Sequence, residues 1–218
     1  MEEKDLRLLA NQLMKPEGDR GIEIANMMNE SNQGMTINSI ENLSLTENDV
    51  ILEIGPGNAG HLNYLFSKVQ KLRYFGIDIS ELMVSEASRI NCSQIENESA
   101  SFTLYDGENI PFESNYFDRI FTVNTIYFWS NPILFIQEIS RVLKHNGRFS
   151  LTFAEASFME KLPFTKFNFN LFSVEKLQEI IKDSNLTIAS IDNQKEMIHS
   201  KTGELVERKF VTVLLKKN

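Results

Sequence analysis

The chain has 218 residues, 42% of them hydrophobic, with a formal net charge of −8 and a single cysteine, Cys92. That length suits one domain with room for a lid, and that apolar share suffices for a sizeable core. The acidic balance argues against a broad electrostatic grip on nucleic acid, and one cysteine excludes an intrachain disulfide or a cysteine zinc cluster.

The N-terminus, MEEKDLRLLANQ, lacks the apolar core of a signal peptide. No apolar run approaches the ~20 residues of a membrane span. A cytoplasmic protein is the expectation.

Residues 1–49 read as helical, with two breaks. Leu6, Leu9 and Leu13 make a first face, and Pro16, Gly18 and Gly21 interrupt it. Ile24, Met27 and Met28 suggest a short second helix, and Met35 to Leu43 a third. Such a segment serves either as a cover for a sheet edge or as a lid over a ligand.

From residue 50 strand and helix alternate. Val50 to Gly60 reads VILEIGPGNAG: an apolar run, a carboxylate, then a glycine turn. Leu62, Leu65, Phe66 and Val69 follow at helical spacing. Arg73 to Ile77 is a short strand ending at Asp78, and Ser80 caps a helix with Met83, Ala87 and Ile90 on its inner face. Cys92 reads as an ordinary helix residue. Ser101 to Leu104 is a third strand, ending at Tyr105 and Asp106. Ile120 to Val123 is a fourth, ending at Asn124. Asn131 and Pro132 start a helix lined by Ile136, Ile139 and Leu143, which Asn146 and Gly147 end. Phe149 to Phe153 is a fifth strand. Ser173 starts a helix through Ile181, Leu186 to Ile191 is a sixth strand, and Phe210 to Leu215 is the last. This order predicts a mainly parallel α/β sheet covered on both faces.

Glu53, Asp78 and Asp106 stand at three consecutive strand ends, which share one edge of a parallel sheet. Ligands bind at that edge. A carboxylate at Asp78, 18 residues after Gly60, can accept hydrogen bonds from both hydroxyls of a ribose. GPGNAG also satisfies the loose dinucleotide pattern G-x-G-x-x-G. An NAD(P)-dependent oxidoreductase is therefore one reading. Against it, about fifty residues precede the first strand. Glu53 would also repel a pyrophosphate, whereas it suits a cationic amino group.

The motifs resemble those of class I S-adenosylmethionine-dependent methyltransferases. VILEIGPGNAG is similar to the family's first motif, with Ala59 where a third glycine is common, and FGIDIS (Phe75 to Ser80) to its second. LYDGENIPFESNYFDRIFTVNTIYFW (Leu104 to Trp129) resembles the adenine-binding turn running into strand four. EISRVLKHNGRFSLTF (Glu138 to Phe153) resembles the helix, turn and fifth strand, with His145 and Asn146 replacing proline and glycine.

The resemblance covers roughly residues 45–215. It implies a Rossmann-like seven-stranded sheet with the last strand antiparallel, and S-adenosylmethionine as cofactor. Glu53 would hold the methionine amino end. The turn Gly55, Pro56, Gly57 would pass close to the methionine part. Asp78 would bind the ribose, with Ile79 against the adenine. Asp106 would face the adenine amino group beside Gly107, and Asn124 would lie near the methionine part. Residues 1–49 would then be a helical lid or cover on a core at 50–218. The expected partner is a small-molecule acceptor, with neither nucleic acid nor a membrane span.

Tyr127, Phe128 and Trp129 follow strand four on the acceptor side. Phe128 and Trp129 fit core or rim packing as well as substrate contact. Asn124 and Tyr127 share the N-x-x-Y spacing of amino-methylating enzymes without its two prolines. His61 reads as a solvent-exposed helix residue, and His145 and His199 as turn residues. No two histidines have metal-ligand spacing. The connection Ala154 to Phe172 carries Phe158, Phe164, Phe167, Phe169 and Phe172, too aromatic to be solvated. Packed with the N-terminal helices, it would form an apolar acceptor pocket. A non-catalytic S-adenosylmethionine-binding protein is the alternative outside enzymology.

Overall fold

The computed structural model describes residues 2–199 and 205–218. Two helices, α1 (Glu3–Met14) and α2 (Gly18–Asn42), precede an alternating series. It runs β1 (Val50–Ile54), α3 (Leu62–Lys68), β2 (Arg73–Asp78), α4 (Glu81–Ile90), α5 (Cys92–Glu96), β3 (Ala100–Leu104) and β4 (Phe117–Val123). It continues with α6 (Pro132–Val142), β5 (Leu143–Ala154), α7 (Ala156–Met159), α8 (Val174–Ile181), β6 (Leu186–His199) and β7 (Leu205–Lys217).

The seven strands form one sheet in the order β3-β2-β1-β4-β5-β7-β6. Strands β1 to β5 are parallel, and β7 is antiparallel to both its neighbours. The α/β sheet with an antiparallel last strand is therefore as expected. The order reverses between β1 and β4, and in open α/β sheets the crevice at that point receives ligands. Period-two alternation sorts β1 onto both faces. Ile51 joins a core with Leu62, Leu65, Tyr74 and Phe121, while Leu52 and Ile54 join the larger core with Ile136, Ile139 and Phe149.

Local chemistry sets several boundaries as expected. The Ser80 hydroxyl accepts from Met83 N–H, Asn131 from Leu134 N–H and Ser173 from Lys176 N–H, each starting a helix. Other boundaries differ. The N-terminal segment has one break, at 15–17, and α2 runs unbroken through both expected short helices. Gly18 and Gly21 fall in its first turn, where glycine costs little. Helix α6 ends at Val142, not at Asn146 and Gly147. The chain enters β5 directly, and Asn146 takes a left-handed conformation (φ 63°) inside an irregularity of that strand. Lys144 is pulled onto Asp118 (2.8 Å) and His145 onto the Asn218 carbonyl (2.9 Å), which holds this excursion. His145 and the backbone of His199 are thus in strands rather than turns. Strands β6 and β7 are also far longer than expected and pair from Leu186↔Lys217 to His199↔Leu205.

Helix α2 is a cover along its second half. Met35 and Ile40 are buried, and Ser39 Oγ meets Ser150 Oγ of β5 at 2.9 Å. Asn38 donates to Asp192 of β6 at 2.9 Å. Its first half, with α1, lies above the strand ends. Among the described residues no helix is long and apolar enough to cross a membrane.

Candidate functional site

The β1–α3 connection begins at Gly55, whose N–H donates to the Ile77 carbonyl of β2 at 2.8 Å. Gly55 is left-handed (φ 70°), and a Cβ there would strike Thr125 Cγ2. Gly57 is also left-handed (φ 58°), and a Cβ there would meet nothing within 4 Å. The backbone is therefore bare where it faces the crevice. Ala59, at φ 50°, takes the same conformation without glycine's freedom, at a cost of about 1 kcal/mol.

Glu53 is 3% exposed. Its Oε2 accepts from the Tyr74 hydroxyl at 2.5 Å and pairs with His61 Nε2 at 2.8 Å. Burial, then the charge of Glu53, pushes the Tyr74 hydroxyl well up, so it stays a donor. His61 is not the solvent-exposed residue expected. Its side chain is only 10% exposed, and its ring lies edge-on to Phe121. Helix α3 starts close to β1, and that places the His61 imidazole directly over the strand-end carboxylate.

Asp78 is 7% exposed and ends β2. Ser80 N–H donates to its Oδ1 at 2.9 Å and Gly57 N–H to its Oδ2 at 3.2 Å. Burial pushes its carboxyl up to about 6, against those backbone donors, and the Glu53 charge adds to the rise.

The structure brings two of the three strand-end carboxylates together. Glu53 and Asp78 line one cavity, with Gly55, Pro56, Gly57, Ile79, Gly107 and Asn124. Asp106 is exposed and outside that lining. Its oxygens accept from Glu108 N–H (2.8 Å), Asn109 N–H (2.7 Å) and Asn109 Nδ2 (2.7 Å), building the turn that carries Gly107. Those bonds, the Asn109 side chain's first, hold its carboxyl below the usual range.

Asn124 sits just past β4 in a left-handed conformation (φ 59°), which asparagine tolerates. Its Oδ1 receives the Tyr127 hydroxyl (3.0 Å), and its Nδ2 donates to Asn32 Oδ1 of α2 (3.1 Å). The Tyr127 hydroxyl is also 3.0 Å from the Ala154 carbonyl and accepts from Ala154 N–H at 2.7 Å. Burial pushes it far up. Tyr127 is therefore a neutral brace between β4 and β5. Trp129 lines the cavity, but its Nε1 is buried without a partner among the described residues.

Beyond β4 the cavity turns apolar. Phe158, Phe164 and Phe169 of the connection after β5 line it with Met28 of α2 and Leu13 of α1. Phe167 does not. It packs under the Arg7 guanidinium, 4.7 Å from the ring centroid, while Asn168 donates to Asn11 at 2.8 Å. The aromatic connection is thus latched to α1. Arg208 of β7, which no sequence motif singles out, lines this end of the cavity. Its charge in the run Glu207–Lys209 reads as solvated, and only the cross-strand register Glu196↔Arg208 reveals otherwise.

Residues 52–151 match the family described as "Methyltransferase domain". The methyltransferase YrhH of Bacillus subtilis (strain 168) is 34% identical over 113 residues, 52% of this chain and 62% of that one. The fatty-acid O-methyltransferase of Mycolicibacterium smegmatis (strain ATCC 700084 / mc(2)155) is 27% identical over 103 residues, 47% of this chain and 36% of that one. The match therefore spans less than two thirds of the length of either relative. Among solved structures, a chain of the complex between the Haloferax volcanii Trm112 methyltransferase activator and a methyltransferase superimposes with a TM-score of 0.76 at 17% identity, covering 88% of this chain and 93% of that one. The fold and the motif order agree with that match: residues 52–151 are similar to a methyltransferase domain, set in a sheet of the same fold.

Proposed function

We propose that this chain moves a methyl group from S-adenosylmethionine to a small or lipid-like acceptor by in-line displacement. The carrying observation is one cavity of two characters. At the β1 and β2 ends it holds carboxylates and bare left-handed backbone. Across β4 it continues into an aromatic compartment roofed by α1 and α2.

The residues fit the cofactor. Each Asp78 oxygen accepts one backbone N–H, which leaves lone pairs for two ribose hydroxyls. Glu53 commits Oε2 to Tyr74 and His61, so Oε1 remains for a cationic amino group. Gly55, Pro56 and Gly57 would pass the methionine part, with Asn124 beyond it. Ile79 and Gly107 would flank the adenine, and Asp106 would serve it from the turn it builds. The bound cofactor supplies an already activated methyl on a sulfonium. The protein's own work is alignment and exclusion of water. Residues 1–49 would act as lid and cover together on a core at 50–218. The relative named for fatty acids supports an apolar acceptor.

Incubation with S-adenosylmethionine and a panel of apolar acceptors tests this reading through S-adenosylhomocysteine formation. Release of that product with at least one acceptor is expected. Cofactor binding without turnover across a broad panel would favour a non-catalytic role. Phe164→Ala or Phe169→Ala should raise the acceptor KM by roughly 10- to 100-fold, the value of one buried aromatic side chain. Cofactor affinity should stay within about twofold in both variants, because these rings lie across β4 from the carboxylates. Unchanged acceptor KM in both would remove the apolar pocket from the account.

A further inference from the structure

The cavity that holds the aromatic side chains is also lined by a buried arginine. Arg208 is 5% exposed and stands where the β6–β7 hairpin meets α2. Its Nε and Nη2 meet Glu196 Oε1 at 3.0 and 2.5 Å, and Nη2 also donates to the Ser31 carbonyl at 2.6 Å. Nη1 donates to Asn32 Oδ1 at 3.1 Å. One of the five guanidinium N–H groups is left without an acceptor among the described residues. The same Asn32 oxygen receives Asn124 Nδ2, so the guanidinium is one side chain away from the residue past β4.

The polar groups around this point are short of acceptors, not donors. Asn32 Oδ1 takes two donors, and Asn124 Oδ1 takes Tyr127 Oη and Ala154 N–H. Asn32 Nδ2 and one Arg208 N–H have no partner among the described residues. Among the described residues the titratable groups in reach are equally committed. Tyr127 is neutral and bonded, His61 is held by Glu53, and Glu196 faces Arg208. No free base stands at this end of the cavity among the described residues.

We propose that the acceptor is an amphipathic carboxylic acid, bound with its carboxylate against Arg208 and its apolar chain among Phe158, Phe164 and Phe169, and converted to its methyl ester. The proposal rests on the methyltransferase reading above and names its substrate class. A carboxylate arrives already ionised, so no proton has to be removed. One carboxylate oxygen forms the new bond to the methyl carbon as the carbon–sulfur bond breaks, and the electron pair stays on sulfur as a neutral thioether. An anion and a cation become two neutral products. An apolar, water-excluding compartment favours that loss of charge, while Arg208 aligns the oxygen through the one N–H that its other partners leave free.

The test uses the full chain with S-adenosylmethionine and three matched series of saturated C8–C18 compounds: acids, primary alcohols and primary amines. Methyl ester and S-adenosylhomocysteine should form one for one from an acid, with no methylated alcohol or amine. Arg208→Gln should raise the acid KM by roughly 30-fold, as expected for a lost charge-assisted hydrogen bond. Arg208→Lys keeps a cation beside Glu196 but loses the directed free N–H, so it should fold as the parent does and still raise that KM severalfold. Calorimetric affinity for S-adenosylmethionine should be unchanged in both. Turnover of alcohols or amines but of no acid would overturn the proposal and leave the methyltransferase reading standing. So would an acid KM unmoved by Arg208→Lys. Failure of the parent protein to bind S-adenosylmethionine would instead overturn the reading beneath it.

Discussion

Asp78→Asn is expected to abolish useful cofactor affinity without unfolding the protein. Two ribose hydroxyls bonded to a carboxylate are worth about 1.5–3 kcal/mol each, so affinity should fall by roughly two to four orders of magnitude. Stability should move the other way. Burial raises the Asp78 carboxyl from 3.8 to about 6, so the folded chain holds this proton more tightly than the unfolded chain. Its contribution to stability is fully present below about pH 4 and is lost as pH rises through about 6. The ionised form at neutral pH thus costs the ligand-free fold up to about 3 kcal/mol. The asparagine variant escapes that cost, and its ligand-free melting midpoint at pH 7.5 should be no lower than the parent's. Binding has the opposite pH dependence: parent affinity should decline below about pH 6, as protonation removes the ribose acceptor. Calorimetry between pH 5 and 8 measures this. A flat profile, or an asparagine variant that binds as the parent does, would detach Asp78 from the ribose.

Glu53→Ala is expected to damage fold and cofactor binding together. The substitution strands two buried partners, the Tyr74 hydroxyl and His61 Nε2, both held by the same oxygen. Removing one member of a buried charged network costs about 3–5 kcal/mol. For a domain of this size that lowers the melting midpoint by roughly 6–20 °C. Glu53→Gln keeps an acceptor for one partner and should recover much of the stability. It should not recover affinity, because the charge proposed to face the cofactor's amino group is gone. Denaturant titration and calorimetry on both variants separate the two roles. A glutamine variant with the parent's affinity would restrict Glu53 to structure.

What was legible in the sequence was local. The apolar run Val50–Ile54, the glycine turn and the side-chain caps at Ser80, Asn131 and Ser173 depend on residues a few positions apart, and they fold as read. Register across elements was not legible. The pairing of Glu196 with Arg208 depends on a hairpin that begins well beyond its apolar portion, so Arg208, which looks solvated, lines the cavity with Glu196 beside it. His61 looks exposed in the sequence for a related reason: its place beside Glu53 depends on how α3 leans on β1. Asp106 shows the converse. Its strand-end position was correct, but the next three residues offered two N–H groups and an amide, and its side chain closed on them. In the N-terminal segment Gly18 and Gly21 open α2 and do not interrupt it.

The central claim is that the Glu53–Asp78 end of the cavity holds S-adenosylmethionine. Its most direct test is calorimetric titration of the parent protein with S-adenosylmethionine, S-adenosylhomocysteine and NAD under one set of conditions. Saturable one-to-one binding of both S-adenosyl ligands, with no heat from NAD, is predicted. Binding of NAD alone would contradict the account, because a cavity with Glu53 at its base would then be accepting a pyrophosphate.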